Sequence, residues 1–281
     1  MMKVSSTLRL MRFHKPAGIL LLWFPTAWAL WAANQGNPPM KLICLFFLGT
    51  VLMRAAGCVM NDIADRNIDI HVTRTKTRPL ASGEVGLMEA FGLLVFLLIC
   101  SLVILLLLPA ACFYYALLAL FITILYPFCK RFLQAPQLVL GLAFSMGIPM
   151  AYAASGSAPD STLFCLLLIN FLWIVAYDTE YAMVDREDDL QIGVQSTAIW
   201  FAQKDRLIIG LLQATFHLSW LFLAFSLHFS RAFLYLWMLA SFVLLYQQKL
   251  LVTRESALCL RAFSSNSVYG FMLWIAIALA Y

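Results

Sequence analysis

Long apolar stretches, separated by short polar segments, run through almost the whole chain. Each stretch is 17 to 21 residues long, the length that an α-helix needs to cross roughly 30 Å of hydrocarbon. Prolines and small polar clusters lie near their ends, where helices usually stop. The pattern predicts an all-α, polytopic transmembrane helical bundle of about nine spans, near 16–33, 42–60, 87–107, 110–128, 137–155, 161–180, 207–226, 231–247 and 265–281.

Composition supports a membrane protein and excludes several other classes. Hydrophobic residues occupy 63% of the 281 positions and charged residues only 12%, about half of the roughly 25% that a soluble domain carries. A soluble enzyme, a secreted disulfide scaffold and a nucleic-acid-binding protein are therefore not expected. The seven cysteines are scattered singly and form no CxxC pair, so they predict neither a disulfide framework nor a zinc site.

The distribution of basic residues predicts the orientation of the spans. Sixteen of the 19 lysines and arginines lie in the N-terminal segment or in loops that follow even-numbered spans. The opposite loops contain only Lys41 and Arg231, and Arg54 lies inside the second span. Because cytoplasmic loops of membrane proteins are enriched in Lys and Arg, we expect the N-terminus in the cytoplasm. The same rule accounts for the formal net charge of +5.

Acidic residues are concentrated in two short segments. Nine of the 14 lie there, namely Asp62, Asp65, Asp69, Asp178, Glu180, Asp185, Glu187, Asp188 and Asp189. Each segment begins at the cytoplasmic end of an even-numbered span, and the two segments lie four spans apart. This repetition predicts a single domain over residues 1–281, built from two related four-helix halves and a ninth span.

Helical spacing arranges these side chains in two rows. If the second span continues beyond the membrane surface, one face of its helix carries Asn61, Asp62, Asp65 and Asp69. The other row, at spacings i, i+7 and i+11 on one helix face, consists of Asp178, Asp185 and Asp189. Like charges at such spacing repel unless a cation lies between them, and carboxylates beside phosphate oxygens suit Mg²⁺. We therefore expect the six aspartates to be catalytic residues that bind Mg²⁺, the alternative being two solvated helix ends.

Basic residues accompany both rows and complete the outline of a diphosphate site. Arg66 lies within the first row, Arg186 in the second, and Lys130 and Arg131 in the cytoplasmic loop between them. Guanidinium and ammonium groups bind phosphate oxygens, so Arg66, Lys130 and Arg131 are candidate ligands of a diphosphate. Each of these residues also fits a role as a topology signal.

The two segments resemble the signatures of the UbiA superfamily of intramembrane prenyltransferases. The first signature corresponds to Asn61-Asp62-x-x-Asp65-x-x-x-Asp69 with Arg74-Thr75-x-x-Arg78, and the second to Tyr177-Asp178-Thr179-x-Tyr181 with Asp185-Arg186-x-Asp188-Asp189. The branch that acts on 4-hydroxybenzoate is similar to this chain at Lys15-Pro16-x-Gly18, Tyr126-Pro127-Phe128-x-Lys130-Arg131 and Pro136-Gln137-x-x-Leu140-Gly141. The resemblance covers about residues 9 to 200.

This resemblance implies a reaction and a location. The reaction is transfer of a polyprenyl chain from polyprenyl diphosphate to the ring carbon ortho to the hydroxyl of 4-hydroxybenzoate, with Mg²⁺ as cofactor, in ubiquinone synthesis. The location is the bacterial inner membrane, with several passes through the lipid bilayer and an active site that faces the cytoplasm. No nucleic acid and no obligatory protein partner is expected.

Arg54 is an unusual residue for the interior of an apolar helix. It lies seven residues before Asn61, hence two turns deeper on the same helix face, and a charge at that depth costs at least ~2.5 kcal/mol. Arg54 and Asn61 are therefore candidate ligands of the aromatic acceptor, with Arg54 binding its carboxylate. Alternatively, Arg54 connects two helices or extends to the membrane surface, and the carboxylate meets Arg9, Arg12 or Lys15.

Two other functions remain open at this point. Another branch of the superfamily, such as haem O synthase or a naphthoate or homogentisate prenyltransferase, would share both aspartate signatures and differ in the acceptor. A secondary transporter could also carry paired motifs, but transporters usually place ionisable groups near the bilayer midplane. Here the acidic residues lie at the predicted cytoplasmic edge, which disfavours a transporter.

Overall fold

The computed structural model describes residues 4–281, in which helices make up 77% of the chain and no strand occurs. In chain order the helices are α1 (Val4–Leu10), α2 (Ala17–Ala33), α3 (Met40–Asp69), α4 (Leu87–Leu106), α5 (Ala111–Cys129), α6 (Pro136–Ser145), α7 (Gly147–Ala154), α8 (Ser161–Ala182), α9 (Arg186–Ile192), α10 (Thr197–Phe201), α11 (Asp205–Ser226), α12 (Arg231–Leu250) and α13 (Ser256–Ala278). The expected all-α bundle is confirmed.

Each predicted span falls on one long helix or on a pair of consecutive helices. By length and composition, six helical stretches among residues 4–281 can cross a membrane: Met40–Asp69, Leu87–Leu106, Ala111–Cys129, Pro136–Ala154, Ser161–Ala182 and Thr197–Ser226. Helix α2 is apolar but shorter, and α12 and α13 carry polar residues such as Gln247 and Asn266. The chain is thus a multi-pass membrane protein, while the number of nine spans stays a prediction.

Helix α3 continues well beyond the second predicted span. Its 30 residues extend for about 45 Å at 1.5 Å per residue, which exceeds the roughly 30 Å of a hydrocarbon layer. One part of α3 must therefore lie outside the hydrocarbon. The C-terminal part, which ends at Asp69, carries the first acidic row as the sequence predicts.

The second acidic row does not lie on one continuous helix, so that expectation was wrong. Helix α8 ends at Ala182, and the short helix α9 begins at Arg186 with Asp185 as its N-cap residue. Acidic residues are favourable in the first turn of a helix, where backbone N–H groups are free and the dipole is positive. The acidic run that starts at Asp185 therefore suits a new helix start better than a helix interior.

Aromatic side chains form the core between α2, α8, α11 and α13. The ring of Trp28 lies 5.0 Å from that of Trp173 and 5.1 Å from that of Trp220, and all three side chains are buried. A Cβ at Gly270 would lie 2.4 Å from Phe24, so α13 packs closely on α2 only because this residue has no side chain. Helices α4 and α5 bury few residues, and a large cavity lies beside them.

Candidate active site

A cavity of about 1030 Å³ extends through the bundle and has two chemically different ends. Its apolar section lies between α3, α4 and α5 and includes Leu45, Leu98, Leu102, Leu105, Leu117 and Leu120. Its polar end is lined by five of the six predicted aspartates, namely Asp65, Asp69, Asp178, Asp185 and Asp189. The basic residues at this end are Arg12, Lys15, Arg54, Arg74, Arg78 and Lys130. The sequence-based expectation that the two acidic segments meet at one site agrees with this placement.

Two arginines neutralise Asp62 and Asp69, the first and last aspartates of the first row. Arg12 Nη2 donates to Asp62 Oδ1 at 2.6 Å, and Arg78 Nη1 donates to the same oxygen at 3.2 Å. Arg78 Nη1 also donates to Asp69 Oδ2 at 2.7 Å. The Asp62 side chain is 2% exposed and does not line the cavity, so Asp62 holds the two arginines beside the site.

Asp65 has one engaged and one free carboxylate oxygen. Its Oδ2 accepts hydrogen bonds from Asn61 Nδ2 at 3.0 Å and from Lys130 Nζ at 3.1 Å. Its Oδ1 is buried and has no hydrogen-bond partner among the described residues. A buried carboxylate oxygen without a partner is costly, so Asp65 Oδ1 is a ready ligand for a cation in the cavity.

The second row is held by the loop between α3 and α4. Arg74 Nε donates to Asp185 Oδ1 at 2.8 Å, and Arg74 Nη2 makes a second contact with Asp185 Oδ2. The Arg74 guanidinium also lies over the Tyr181 ring, 4.7 Å from its centroid. Burial raises the pKa of the Asp189 carboxyl to about 7, and the neighbouring Asp185 carboxylate adds to this shift. A bound cation would favour the ionised form of Asp189.

Arg54 lines the cavity on the same side as Asn61. Its Nη1 lies 2.9 Å from Cys58 Sγ, and no ion pair joins Arg54 to a carboxylate among residues 4–281. A Cβ at Gly18 would lie 2.5 Å from Arg54 Nη2. The absence of a side chain at residue 18 therefore gives the guanidinium its space at the α2–α3 interface.

Arg66 and Arg131 are not brought to the cavity, which corrects the sequence-based assignment. Arg66 is exposed and donates to the Ile63 carbonyl at 3.3 Å. Arg131 is exposed, donates to the Ala64 carbonyl at 3.4 Å and lies over the Phe128 ring. Arg66 follows the cavity-lining Asp65 within α3, and successive residues of a helix point about 100° apart, so its side chain faces elsewhere. Arg131 lies in the turn after α5, where its contact with the Ala64 carbonyl directs it away from the cavity.

Arg12, Arg74 and Arg78 line the polar end of the cavity, although they are not among the diphosphate ligands expected from the sequence. Arg74 and Arg78 are four residues apart in the segment that resembles the first signature, and that spacing was an available signal. For Arg12 the sequence predicts only a topology signal or an alternative ligand of the acceptor carboxylate. A further cavity residue is Tyr177, whose buried hydroxyl has no hydrogen-bond partner among the described residues.

The residues present fit a magnesium ion that is shared with phosphate oxygens. Among residues 4–281 no group of three or more Asp, Glu, His or Cys side chains is close enough to hold a metal ion unaided. Mg²⁺ commonly takes only one or two carboxylates and completes its octahedron with water and phosphate oxygens. Carboxylate oxygens on two sides of a cavity, with Asp65 Oδ1 unpartnered, match that requirement.

The chain is similar to known proteins over nearly its full length. It matches the model of the UbiA prenyltransferase family over residues 22–276. The "4-hydroxybenzoate octaprenyltransferase" of Legionella pneumophila (strain Paris) is 58% identical over 276 residues, and the alignment covers 98% of each chain.

Solved structures of distant relatives share the fold. The apo structure of a UbiA homolog from Aeropyrum pernix K1 aligns with a TM-score of 0.80 at 20% identity and covers 92% of this chain and 96% of that chain. A UbiA homolog from Archaeoglobus fulgidus bound to GPP and Mg²⁺ aligns with a TM-score of 0.74 at 19% identity, covering 95% and 99%.

Fold and cavity together define a helical membrane protein that can hold an anionic head group and an apolar tail in one chamber. The match over most of the chain and the 58% identity to a named relative make the assignment more specific. The chain belongs to the UbiA prenyltransferase family, which confirms the resemblance seen in its two acidic signatures.

Proposed function

We propose that this protein transfers a polyprenyl chain from polyprenyl diphosphate to the ring carbon ortho to the hydroxyl of 4-hydroxybenzoate, in ubiquinone synthesis. The observation that carries this proposal is the continuity of one cavity from paired acidic and basic side chains to an apolar section. A prenyl diphosphate has the same division into a charged head and an apolar tail. The full-length relative named for 4-hydroxybenzoate and an octaprenyl chain supports the choice of both substrates.

The donor diphosphate would bind at the polar end of the cavity. Arg12, Arg74, Arg78 and Lys130 line this end and would bind the phosphate oxygens through charge-assisted hydrogen bonds, which are stronger than those between neutral groups. Asp65 and the aspartates of the second row would hold Mg²⁺ against the same oxygens, and Mg²⁺ when bound neutralises negative charge on a leaving diphosphate. The prenyl tail would occupy the apolar section between α3, α4 and α5.

The acceptor would bind deeper along α3, at Arg54 and Asn61. Arg54 lines the cavity and forms no ion pair with a carboxylate among residues 4–281, although Asp178 is close enough to interact with it electrostatically. The carboxylate of 4-hydroxybenzoate would supply a direct partner. Asn61 lies two turns farther along the same helix, next to Asp65, to which its side-chain amide donates at 3.0 Å. This arrangement would hold the ring between Arg54 and the diphosphate, with the phenol end toward the acidic rows.

In the proposed reaction the allylic C–O bond breaks and its electron pair leaves with the diphosphate. The ring carbon ortho to the hydroxyl then forms a bond to the allylic cation, and the proton on that carbon is lost. The cations of the polar end stabilise the leaving group as its charge develops. The buried Tyr177 and the half-buried Tyr126 line the cavity, where their aromatic faces would exclude water and stabilise positive charge.

We infer the membrane arrangement from the distribution of charge. Nine spans with a cytoplasmic N-terminus would place both acidic rows and the mouth of the cavity at the cytoplasmic side of the bacterial inner membrane. The single-domain organisation, in two related four-helix halves and a ninth span, belongs to the same proposal.

The proposal is tested by incubating the purified protein with 4-hydroxybenzoate, octaprenyl diphosphate and Mg²⁺. We expect the 3-prenylated product and stoichiometric diphosphate, and neither in excess chelator. Parallel reactions with a dihydroxynaphthoate, homogentisate and haem compare the acceptors of the other branches. Preference for one of these acceptors would overturn the assignment to 4-hydroxybenzoate while leaving prenyl transfer intact.

A further inference from the structure

Helix α9 carries part of the second acidic row but has almost no packing of its own. None of its residues, Arg186–Ile192, is buried. Asp185 occupies the N-cap position, and the Asp189 N–H donates to the Asp185 carbonyl at 2.8 Å, so the two aspartates share the first helical turn. Without an apolar face against the core, the position of this turn depends on polar contacts.

On the cavity side, the contacts of α9 come from the loop between α3 and α4. Arg74 pairs with Asp185, and the Thr73 N–H donates to Asp188 Oδ2 at 2.7 Å. Under the proposed function Arg74 binds the donor diphosphate. Its contact with Asp185 would then weaken at the moment when Asp185 and Asp189 are needed to face the metal.

On the opposite side, α9 is held by a buried carboxylate at the start of α11. Arg186 Nη1 donates to Asp205 Oδ2 at 2.8 Å, and the Asp205 side chain is 0% exposed. Arg186 therefore points away from the cavity, although its place in the second signature suggested a role at the diphosphate. Asp205 has no contact with the polar end of the cavity and is absent from its lining.

A second arginine completes the charge balance around Asp205. Arg254 Nε donates to both carboxylate oxygens at 3.1 and 3.0 Å, and its Nη2 donates to Oδ1 at 2.8 Å. Arg254 also adopts a left-handed backbone conformation with φ of +58°, which is unusual for a residue with a side chain. Asp205 thus joins the start of α9, the start of α11 and the loop between α12 and α13.

We propose that Asp205 is a positioning residue for the second acidic row, acting through Arg186. It holds the first turn of α9 so that Asp185 and Asp189 keep facing the cavity when Arg74 turns to the donor diphosphate. This inference rests on the proposed function and adds to it a residue that touches neither substrate. Mutation of a residue that orients a metal ligand without binding the metal typically lowers metal affinity or activity roughly 10- to 100-fold.

Asp205 forms two ion pairs, here called its two arms, one with Arg186 and one with Arg254. Comparing these arms distinguishes a positioning role from a purely structural one. The Arg186 arm leads to α9, whereas the Arg254 arm leads to the loop between α12 and α13. If Asp205 only stabilised the fold, loss of either arm would act alike. If Asp205 positions α9, only loss of the Arg186 arm should change how the enzyme responds to Mg²⁺.

The test compares Asp205→Asn, Arg186→Gln and the matched control Arg254→Gln in the full-length protein. We expect Asp205→Asn and Arg186→Gln to raise the Mg²⁺ concentration for half-maximal activity about tenfold, with the KM for 4-hydroxybenzoate unchanged. The double variant should be no worse than either single one, because both changes break the same link. Arg254→Gln should keep the Mg²⁺ response of the wild type, and Arg186→Lys should restore most of it.

Hydrogen exchange gives a readout that does not depend on turnover. In Asp205→Asn and Arg186→Gln the amides of residues 185–192 should exchange faster than in the wild type, and in Arg254→Gln they should not. An unchanged Mg²⁺ response and unchanged exchange in Arg186→Gln would overturn the proposal, as would equal effects of all three variants. If Asp205→Asn cannot be purified, the partly exposed Arg186 carries the test alone. If the wild type itself forms no prenylated product, the proposed function fails, while the exchange comparison still tests the positioning role.

Discussion

Replacing Arg54 with leucine tests the assignment of the acceptor site more sharply than any other single change. In the structure Arg54 lines the cavity, contacts Cys58 Sγ at 2.9 Å and forms no ion pair with a carboxylate among residues 4–281, Asp178 being an electrostatic neighbour. The positively charged guanidinium of Arg54 is therefore already in the cavity, where it can bind an acceptor carboxylate. Leucine keeps much of the bulk and suits an apolar helix, so we expect the variant to fold.

The size of the effect follows from the contact that would be lost. A hydrogen bond to a charged group contributes about 1.5–3 kcal/mol, which corresponds to roughly a 10- to 150-fold change in affinity. We therefore expect Arg54→Leu to raise the KM for 4-hydroxybenzoate by that factor. The KM for the prenyl diphosphate should stay near the wild-type value, because Arg12, Arg74, Arg78 and Lys130 remain in place.

The assay measures product formation while each substrate is varied in turn at saturating Mg²⁺. Cys58→Ala is the matched control, since it removes the one side-chain contact of Arg54 seen at 2.9 Å and leaves the guanidinium in the cavity. It should change neither KM strongly. Equal loss of affinity for both substrates in Arg54→Leu would indicate a structural role. A variant that behaves like the wild type would reject the acceptor role.

Three further predictions concern the metal site, the shape of the acceptor site and the topology. Asp65→Ala and Asp185→Ala should each lower kcat at least ~100-fold, because each removes charge that acts on the leaving group, and full turnover in excess chelator would contradict the metal assignment. Gly18→Ala should raise the KM for 4-hydroxybenzoate with little change for the donor, because its Cβ would lie 2.5 Å from Arg54 Nη2; kinetics identical to the wild type would show that the guanidinium is not confined. A cysteine at the exposed residue Ser82 should react with an impermeant reagent only from the cytoplasmic side, and labelling from outside would invert the topology.

Much of the fold was predictable because hydrophobic length and helical period act locally. A run of apolar residues of spanning length must form a helix to satisfy its backbone in lipid, and the long helix α3 carries the first acidic row where the spacing places it. The break before α9 was not predictable from spacing alone. It depends on contacts such as that between Arg74 and Asp185, which are 111 positions apart in the chain.

The choice among neighbouring basic residues illustrates the same limit of local patterns. Arg66 and Arg131 lie next to Asp65 and Lys130 in the sequence, yet they point away from the cavity. Arg78 reaches Asp62 and Asp69 from a loop whose path is set by tertiary contacts. The helical period could have excluded Arg66 from the site, because consecutive side chains on a helix point about 100° apart. No local sequence pattern, however, predicts the position of Arg78.

The distribution of charge explains how so many acidic and basic groups can lie close together at the polar end of the cavity. The six aspartates of the two rows are matched by six basic residues, Arg12, Lys15, Arg54, Arg74, Arg78 and Lys130. Most of the aspartates are already paired with these cations, and a buried pair is tolerated where a lone buried charge is not. A diphosphate with Mg²⁺ offers each side a new partner: phosphate oxygens for the arginines, and the metal for the carboxylates. When the donor binds, these groups would exchange partners and few charged groups would be left unpaired. The carboxylate of the acceptor would then pair directly with Arg54.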